Sequence, residues 1–558
     1  MEKTKNKFLY GALILTITGI IAKVIGAFYR VPLVNMIGSK GLGIFQLIFP
    51  IYSFFLVLVS GGMALGMSKV ISIEVKNNSG VNIKRLLKSA CIMMLVLSSI
   101  CGVILFGISF PLSVFQGDKS LCVCYFALIP ALIFSSLISV FRGYFQGLEN
   151  MLPSGISMII EQVVKLLTGL FFAKIFIKTS IVKAVFGAFI GITLSELVTL
   201  FYLILRYFFI IFNKKTAKIT QNYEKVEKNI SKTENYSDKQ KDIQISIKVK
   251  KLTTKECFSL LIKTTVPIMI NSIIMPLVGA IESSLAIWLL SKATISTPVA
   301  TSLFGLEDGV VGSLVNLPIV ISSSLSTAIL PSVASSFNSN DKSGCEAKSK
   351  NALKISWLIA LPCVFAFLIL SPDLVKFLYS NGLGNSAFDE LKVVVDLVRL
   401  SSLSILYISL LNVVTSILQA INKSFVPVKN LIFSSIVKII FTIVLVSNKT
   451  FNIYGLVISD IIGYSLALVL DLRYLKSMLN IKFDLLNFAI KPLISVAVMS
   501  VAILVTKKVL VGLVTNRMLT LSTCIFGAVV YLTMIFITRV INKNDLPFMK
   551  KFQKNSRN

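Results

Sequence analysis

Long apolar runs alternate with short polar connections along almost the whole chain. About twenty apolar residues are enough to cross a bilayer as a helix, and run after run here reaches or exceeds that length. The pattern predicts an all-α polytopic membrane protein of about fourteen transmembrane helices. The spans fall at 8–29, 44–71, 86–110, 121–145, 155–177, 182–211, 258–290, 303–336, 353–379, 393–420, 427–447, 453–475, 486–506 and 514–538. The first run is too long for a cleaved signal peptide, and no A-x-A site follows it.

One break interrupts the pattern. Residues 213–257 are rich in Lys, Asn, Glu, Gln and Ser and hold few large apolar clusters, the composition of a tether. It divides an N-terminal six-helix lobe, 1–212, from a C-terminal six-helix lobe, 258–480. Helices 13 and 14 follow in 481–540, and a basic tail closes the chain at 541–558.

The two lobes repeat one another. Gln146-Gly147-Leu148 followed by Val164-Lys165-Leu166 recurs as Gln419-Ala420-Ile421 followed by Val437-Lys438-Ile439, both displaced by the same offset. Ile25-Gly26-Ala27-Phe28 recurs as Val278-Gly279-Ala280-Ile281, and Phe49-Pro50-Ile51 as Leu317-Pro318-Ile319. The matches keep their order, as a duplication requires. An even number of helices per copy gives both copies one orientation, a parallel repeat about the membrane normal. Transporters built this way place substrate between the repeats and rock one against the other.

Composition agrees with the pattern. Of 558 residues 55% are hydrophobic, and the mean hydropathy of +0.84 lies outside the range of soluble domains. The net charge of +31 invites a nucleic-acid reading, but the cations sit mainly between apolar runs. The positive-inside rule accounts for that placement and puts both termini, the linker and the tail in the cytoplasm, with no nucleic-acid partner.

Charges inside the runs are the candidate chemistry. Lys69, Lys174, Lys263, Lys376 and Lys491 lie near helix ends, where the stem can snorkel to the headgroups. Lys23, Lys165 and Lys438 lie deeper, and the last two are repeat equivalents. Glu161 stands one turn before Lys165 and can neutralise it on the same helix face, as Asp396 can Arg399. Lys23 and Lys438 have no acid so placed and need an acid on another helix or an anionic ligand. Deep acids, Glu161, Glu196, Glu282 and Asp460, are candidates for cation coupling or ion pairing, with Glu307 and Asp308 near an outer helix end. Glu282 falls opposite Tyr29 in the repeat, which makes it a candidate partner for Lys23 or Arg30.

No catalytic constellation is present, so an enzyme is not expected. The chain has no histidine, and its eight cysteines form no CxxC, so no zinc or other metal site is expected. Gly117-Asp118-Lys119-Ser120 lacks the glycine spacing of a phosphate-binding loop. Without a nucleotide site or other cofactor, directed transport would draw on a Na+ or H+ gradient, the membrane potential or substrate supply.

Two stretches carry a family resemblance. Gly11–Val70, GALILTITGIIAKVIGAFYRVPLVNMIGSKGLGIFQLIFPIYSFFLVLVSGGMALGMSKV, and Phe141–Lys165, FRGYFQGLENMLPSGISMIIEQVVK, resemble the stage V sporulation protein B family. That family lies in the polysaccharide-biosynthesis branch of the multidrug/oligosaccharidyl-lipid/polysaccharide exporter superfamily, and the resemblance runs over essentially the whole chain. It implies a flippase of undecaprenyl-pyrophosphate-linked saccharide, with peptidoglycan precursor for the spore cortex as cargo and the cell membrane, including forespore-associated membrane, as its place. It also implies a cationic cavity between two lobes and a lipid-tail groove at helices 13 and 14. Lys23 and Arg30 stand on the matching first helix, although Tyr29-Arg30 occupies the place of an Arg-Asp pair in lipid II flippases. Lys23, Arg30, Lys165 and Lys438 are then the pyrophosphate-binding candidates, and Glu161, Glu282 and Asp460 the coupling or ion-pair candidates. The expected partners are a lipid-linked oligosaccharide, membrane lipids and cell-wall synthesis enzymes. The alternatives are a cation-coupled multidrug exporter of the same superfamily and a non-transporting scaffold.

Overall fold

The computed structural model describes residues 2–76, 80–212, 252–380, 382–383, 389–479 and 486–540. Most of the linker (213–251), the tail (541–558) and the cations expected inside at Lys550 and Lys551 lie outside the described residues. Among the described residues the chain is helical, with no strand, and thirteen helical stretches are long and apolar enough to cross a membrane. The chain is a multi-pass membrane protein.

The first of those stretches, Ile14–Val75, holds 62 residues and would run to roughly 90 Å if straight, three times the hydrocarbon thickness. It breaks twice, once at Gly38 between the predicted spans 8–29 and 44–71 and once at Gly62 inside the second of them. In helix α1 (Glu2–Ser60) the break is Gly38, at φ 68° and ψ −176°. Gly62, at φ 79°, separates α1 from α2 (Met63–Lys76). Both conformations suit glycine, which carries no Cβ to clash. The polar stretch that reads as a loop between the first two spans is therefore helical on both sides of Gly38.

The chain forms two compact units. Unit 1 comprises 1–29 and 47–284, and unit 2 comprises 30–46 and 285–558. In unit 1, α2 packs with α3 (Gly80–Phe115) and α4 (Cys122–Gly147), and α4 in turn with α5 (Met151–Phe176) and α6 (Ile181–Phe212), which pack on each other. Met67, Leu86, Met94, Val140 and Leu261 make one of its buried cores. Leu261 belongs to α7 (Thr254–Lys292), so the last residues assigned to the linker, Lys255–Cys257, already lie in a helix, and Cys257 is buried in that core. The helix continues from unit 1 into unit 2 at Ser284–Leu285 and carries Pro267 and Pro276 inside it.

Unit 2 adds α8 (Thr297–Phe304), a wider π-helical turn over Gly305–Val311, α9 (Gly312–Asn338), α10 (Lys342–Tyr379), α11 (Glu390–Ala420), α12 (Phe425–Val446) and α13 (Tyr454–Met478). Two further helices, α14 (Lys491–Leu510) and α15 (Asn516–Ile537), pack on α10 through Leu358, Val496, Met499, Ile503 and Tyr531. The Tyr531 hydroxyl donates to the Leu358 carbonyl at 2.7 Å, and Lys507 pairs with Asp373. These polar ties between apolar helices fix the rotation of α14 and α15 on the unit, because lipid offers them no alternative partner. The Asp118-Lys119-Ser120 stretch is an ordinary capped turn in which Asp118 accepts from the Ser120 amide at 2.9 Å.

Candidate functional site

The part of α1 that belongs to unit 2, residues 30–46, is a strap tied down by polar contacts. Arg30 Nη1 donates to Ser313 Oγ at 3.1 Å, and Asn35 Nδ2 donates to the Leu378 carbonyl at 2.9 Å. Ser39 bonds the buried carboxylate of Glu390, and the Gln46 amide bonds Asp308. The strap lies backbone to backbone on the π-helical turn. A Cβ placed on Gly305 would fall 2.3 Å from the Gly43 nitrogen, and one on Gly43 would fall 1.9 Å from the Thr301 carbonyl oxygen. Close approach of this kind needs small residues, here Ser39 and Gly43 against Gly305, while Gly309 one turn on makes room for the Leu42 side chain. The π turn is what sets Glu307 and Asp308 where they are, since a seven-residue widening rotates the helix relative to an unbroken one.

Asp308 stands among several charges of unit 2. It lies within electrostatic reach of Arg30, Lys438 and Asp460, and the Gln46 amide holds its carboxylate. Lys438, on α12, is 7% exposed and forms an ion pair with Asp460 of α13. Its ammonium also stands 5.5 Å from the centre of the Tyr464 ring. Gly463 gives the lysine stem room, since a Cβ there would meet Lys438 Cβ at 2.9 Å. The acid on another helix that Lys438 requires is thus Asp460.

Unit 1 has its own charged centre. Arg142 of α4 donates to Ser157 Oγ and to Glu161 Oε2, both at 2.8 Å, and Gln162 Nε2 donates to the other Glu161 oxygen at 3.0 Å. Lys165, one turn further along α5, stands 5.5 Å from the ring centre of Tyr29 and 5.6 Å from that of Phe49. Buried Glu196 of α6 feels the charges of Glu161, Arg142 and Lys165, and buried Tyr52 lies within electrostatic reach of Glu196 and Glu161. Lys23 is exposed on α1, and Glu282 is partly buried on α7. Asp396 and Arg399 meet at 3.7 Å, the intrahelical pair that their spacing predicts.

Lys165 and Lys438, matched in the sequence repeat, each stand near a tyrosine, although Tyr29 and Tyr464 do not occupy matching places in that repeat. Each ammonium stands over a tyrosine ring within its own unit, Tyr29 for one and Tyr464 for the other. Their surroundings differ. Around Lys165 the acids Glu161 and Glu196 are joined by a second cation, Arg142, whereas Lys438 is paired directly to Asp460.

Residues 8–337, more than half of the chain, match the polysaccharide biosynthesis protein family. The chain belongs to that family. Residues 311–526 also match the lipid II flippase MurJ family. Stage V sporulation protein B of Bacillus subtilis (strain 168) is 24% identical over 545 residues, 97% of each chain. Lipid II flippase MurJ of the same organism is 23% identical over 526 residues, covering 90% of this chain and 89% of that one. The fold is shared with a lipid II flippase MurJ in an inward closed conformation, at TM-score 0.67 and 14% identity over 94% of this chain and 99% of the other. It is also shared with an inward-facing multidrug resistance MATE family transporter of the MOP superfamily, at TM-score 0.62 and 15% identity over 81% and 94%.

Against the residues nominated from the family resemblance, unit 2 brings together Arg30, Lys438 and Asp460 around Asp308, and unit 1 brings together Glu161 and Lys165. The residues not nominated from sequence are Arg142, Gln46, Ser313 and the two tyrosines. Arg142 stands close to the end of its apolar run, where snorkelling already explains a cation. Its signal is that Glu161 lies one turn past Ser157, both facing back toward α4 once the tight turn at Leu148–Asn150 folds α5 against it.

Proposed function

We propose that the protein is a flippase that moves an undecaprenyl-pyrophosphate-linked saccharide, with peptidoglycan precursor for spore cortex as its cargo, by alternating access. The observation that carries this reading is the pair of intramembrane ammonium groups, Lys165 and Lys438, at equivalent positions of the two repeats, each against a tyrosine ring. A pyrophosphate crossing about 30 Å of hydrocarbon needs such cations, whereas a polyprenyl tail is at home in lipid. The names of the relatives, a sporulation protein and a lipid II flippase, support the same cargo.

In this scheme Lys165, Lys438 and Arg30 bind the pyrophosphate, and Lys23, exposed on α1, meets it on entry. Lys438 exchanges Asp460 for the substrate phosphate, and the freed carboxylate takes a coupling cation, H+ or Na+. Glu161 and Glu282 hold cations of the empty state. No bond is made or broken, so the protein acts as a transporter and not as an enzyme. The excess of Lys and Arg in the connections on one side supports cytoplasmic termini, and the proposed cargo supports a role in cell or forespore-associated membrane, near the enzymes that use the precursor.

The test is reconstitution into liposomes with labelled lipid II. Wild-type protein should accelerate leaflet exchange over protein-free vesicles, and Lys165→Ala and Lys438→Ala should each lower it at least tenfold. Folded wild-type protein that exchanges lipid II no faster than empty vesicles removes the flippase reading. Normal exchange in both variants removes these lysines from the site. Accelerated efflux of an organic cation on a Na+ or H+ gradient, without lipid II exchange, identifies a multidrug exporter.

A further inference from the structure

A groove of about 550 Å³ lies on unit 1, and no residue of that unit's charged centre lines it. Its walls are Ile92, Val96 and Ile100 of α3 and Ile262, Val266 and Met269 of α7, at helical spacing on each. The back wall is the Gly61–Gly62 break, into which α7 is pressed so closely that a Cβ on Gly62 would fall 2.8 Å from the Thr265 carbonyl oxygen. This is the volume of a typical ligand pocket, but its lining is almost wholly apolar. A headgroup cannot enter it; a hydrocarbon chain can.

One end of the cavity is basic. Lys84 and Lys88 lie two turns and one turn before Ile92 on the same stripe of α3, and Lys255 lies one turn before Phe258, another wall residue, on α7. The two helix starts are at the same end, because Arg85 Nη1 donates to the Leu252 carbonyl at 2.9 Å and the Leu252 amide donates to Asn82 at 3.0 Å. All three lysines are exposed and carry no ion pair among the described residues. The acids there are engaged in the fold, Glu74 with Asn82 and Glu256 with Thr253. The positive ends of two helix dipoles point the same way as the lysines.

We propose that this groove is a binding site for an anionic phospholipid, one acyl chain in the cavity between α3 and α7 and the phosphate among Lys84, Lys88 and Lys255. Anionic headgroups bind basic pockets between membrane helices on the cytoplasmic side, which is the side this end faces in the topology proposed above. The chain occupies the space beside α7, a helix that runs from unit 1 into unit 2, on either side of Pro267. The bound lipid therefore braces α7 and makes activity dependent on anionic lipid.

The test measures lipid occupancy and needs no transport. In full-length protein with Trp288 and Trp357 changed to Phe, a reporter Val96→Trp is placed in the groove and Leu167→Trp on the lipid-facing surface of α5. Chain-brominated phosphatidylglycerol and phosphatidylcholine are then titrated as quenchers. Val96→Trp should prefer phosphatidylglycerol, the preference falling about fivefold for each lysine removed in Lys88→Gln and Lys255→Gln. Leu167→Trp should show no preference and serves as the control that each variant is folded and embedded. Equal quenching by the two lipids at Val96→Trp, or the same preference at Leu167→Trp, overturns the site. Displacement of brominated phosphatidylglycerol from the groove by undecaprenyl phosphate at equal mole fraction overturns the phospholipid assignment in favour of the carrier lipid. Failure of lipid II exchange with the groove preference intact leaves this site standing and removes only the flippase reading.

Discussion

Replacing Lys438 by Met separates the two meanings of a buried lysine, structural partner and substrate ligand. The side chain is 9% exposed and its partner Asp460 is 31% exposed. Breaking a fully buried pair costs about 3–5 kcal/mol, because the abandoned charge stays in a poor solvent. Asp460 keeps nearly a third of its exposure, so the cost here should be smaller, about 1–3 kcal/mol. Met fills most of the stem volume, so little of the loss comes from a cavity. Removing both charges, in Lys438→Met/Asp460→Leu, should return stability to within about 1 kcal/mol of wild type, which, with a similar loss in Asp460→Leu alone, makes the coupling energy about 1–5 kcal/mol. Reversible unfolding in detergent measures the cycle, and lipid II exchange is measured on the same four proteins. The single variants should lose both stability and exchange, while the double variant should regain stability and remain inactive. Single variants as stable as wild type would refute the ion-pair energetics. A double variant that flips lipid II normally would refute contact between Lys438 and the substrate.

Three further outcomes follow from the geometry. Gly43→Val, whose Cβ has no room beside the Thr301 carbonyl, should displace the strap at a cost of about 1–3 kcal/mol or more, read as faster proteolysis near residues 30–46. Arg142→Ala should leave Glu161 without its cation and cost about 2–4 kcal/mol, and Arg142→Lys should recover only part of it, since lysine cannot reach Ser157 and Glu161 as a planar fork; detergent unfolding compares them. Asp341, outside the membrane span, caps α10 by accepting from the Gly344 amide at 2.8 Å, which holds its carboxyl below the usual carboxylate range. A depressed carboxylate adds stability above its unfolded value near 3.9 and loses it as pH falls through the folded value, so Asp341→Ala should fray the start of α10 at pH 7 and matter progressively less below about pH 4, as amide exchange at residues 342–345 would show.

The helices were legible because bilayer thickness sets their length, and a run of twenty apolar residues has few other uses. The depth of Lys165 and Lys438 was legible for the same reason, and so was the demand of Lys438 for an acid on another helix. What the residues alone could not give is which acid, since Asp460 and Lys438 meet only through the rotation of α13 against α12 about their axes. Arg142 and Glu161 were hidden likewise, on two helices joined by a tight turn. The strap was illegible for a different reason. Arg30, Asn35, Ser39 and Lys40 look like a solvated connection, yet the first three are consumed by polar groups of unit 2 that lie hundreds of residues away.

That distance has a consequence for how the chain is made. Ser39 and Glu390 are 351 positions apart, and Asn35 and Leu378 are 343 apart. A ribosome adding about 5–20 residues per second delivers those partners tens of seconds after the strap has left it. During that interval the polar residues of 30–46 have no counterpart, and the second half of the protein, synthesised alone from residue 285, would lack a piece of its own interior. The two units of this protein are thus not two independent folding units laid end to end: the later one is finished by a segment that the earlier one must hold in readiness.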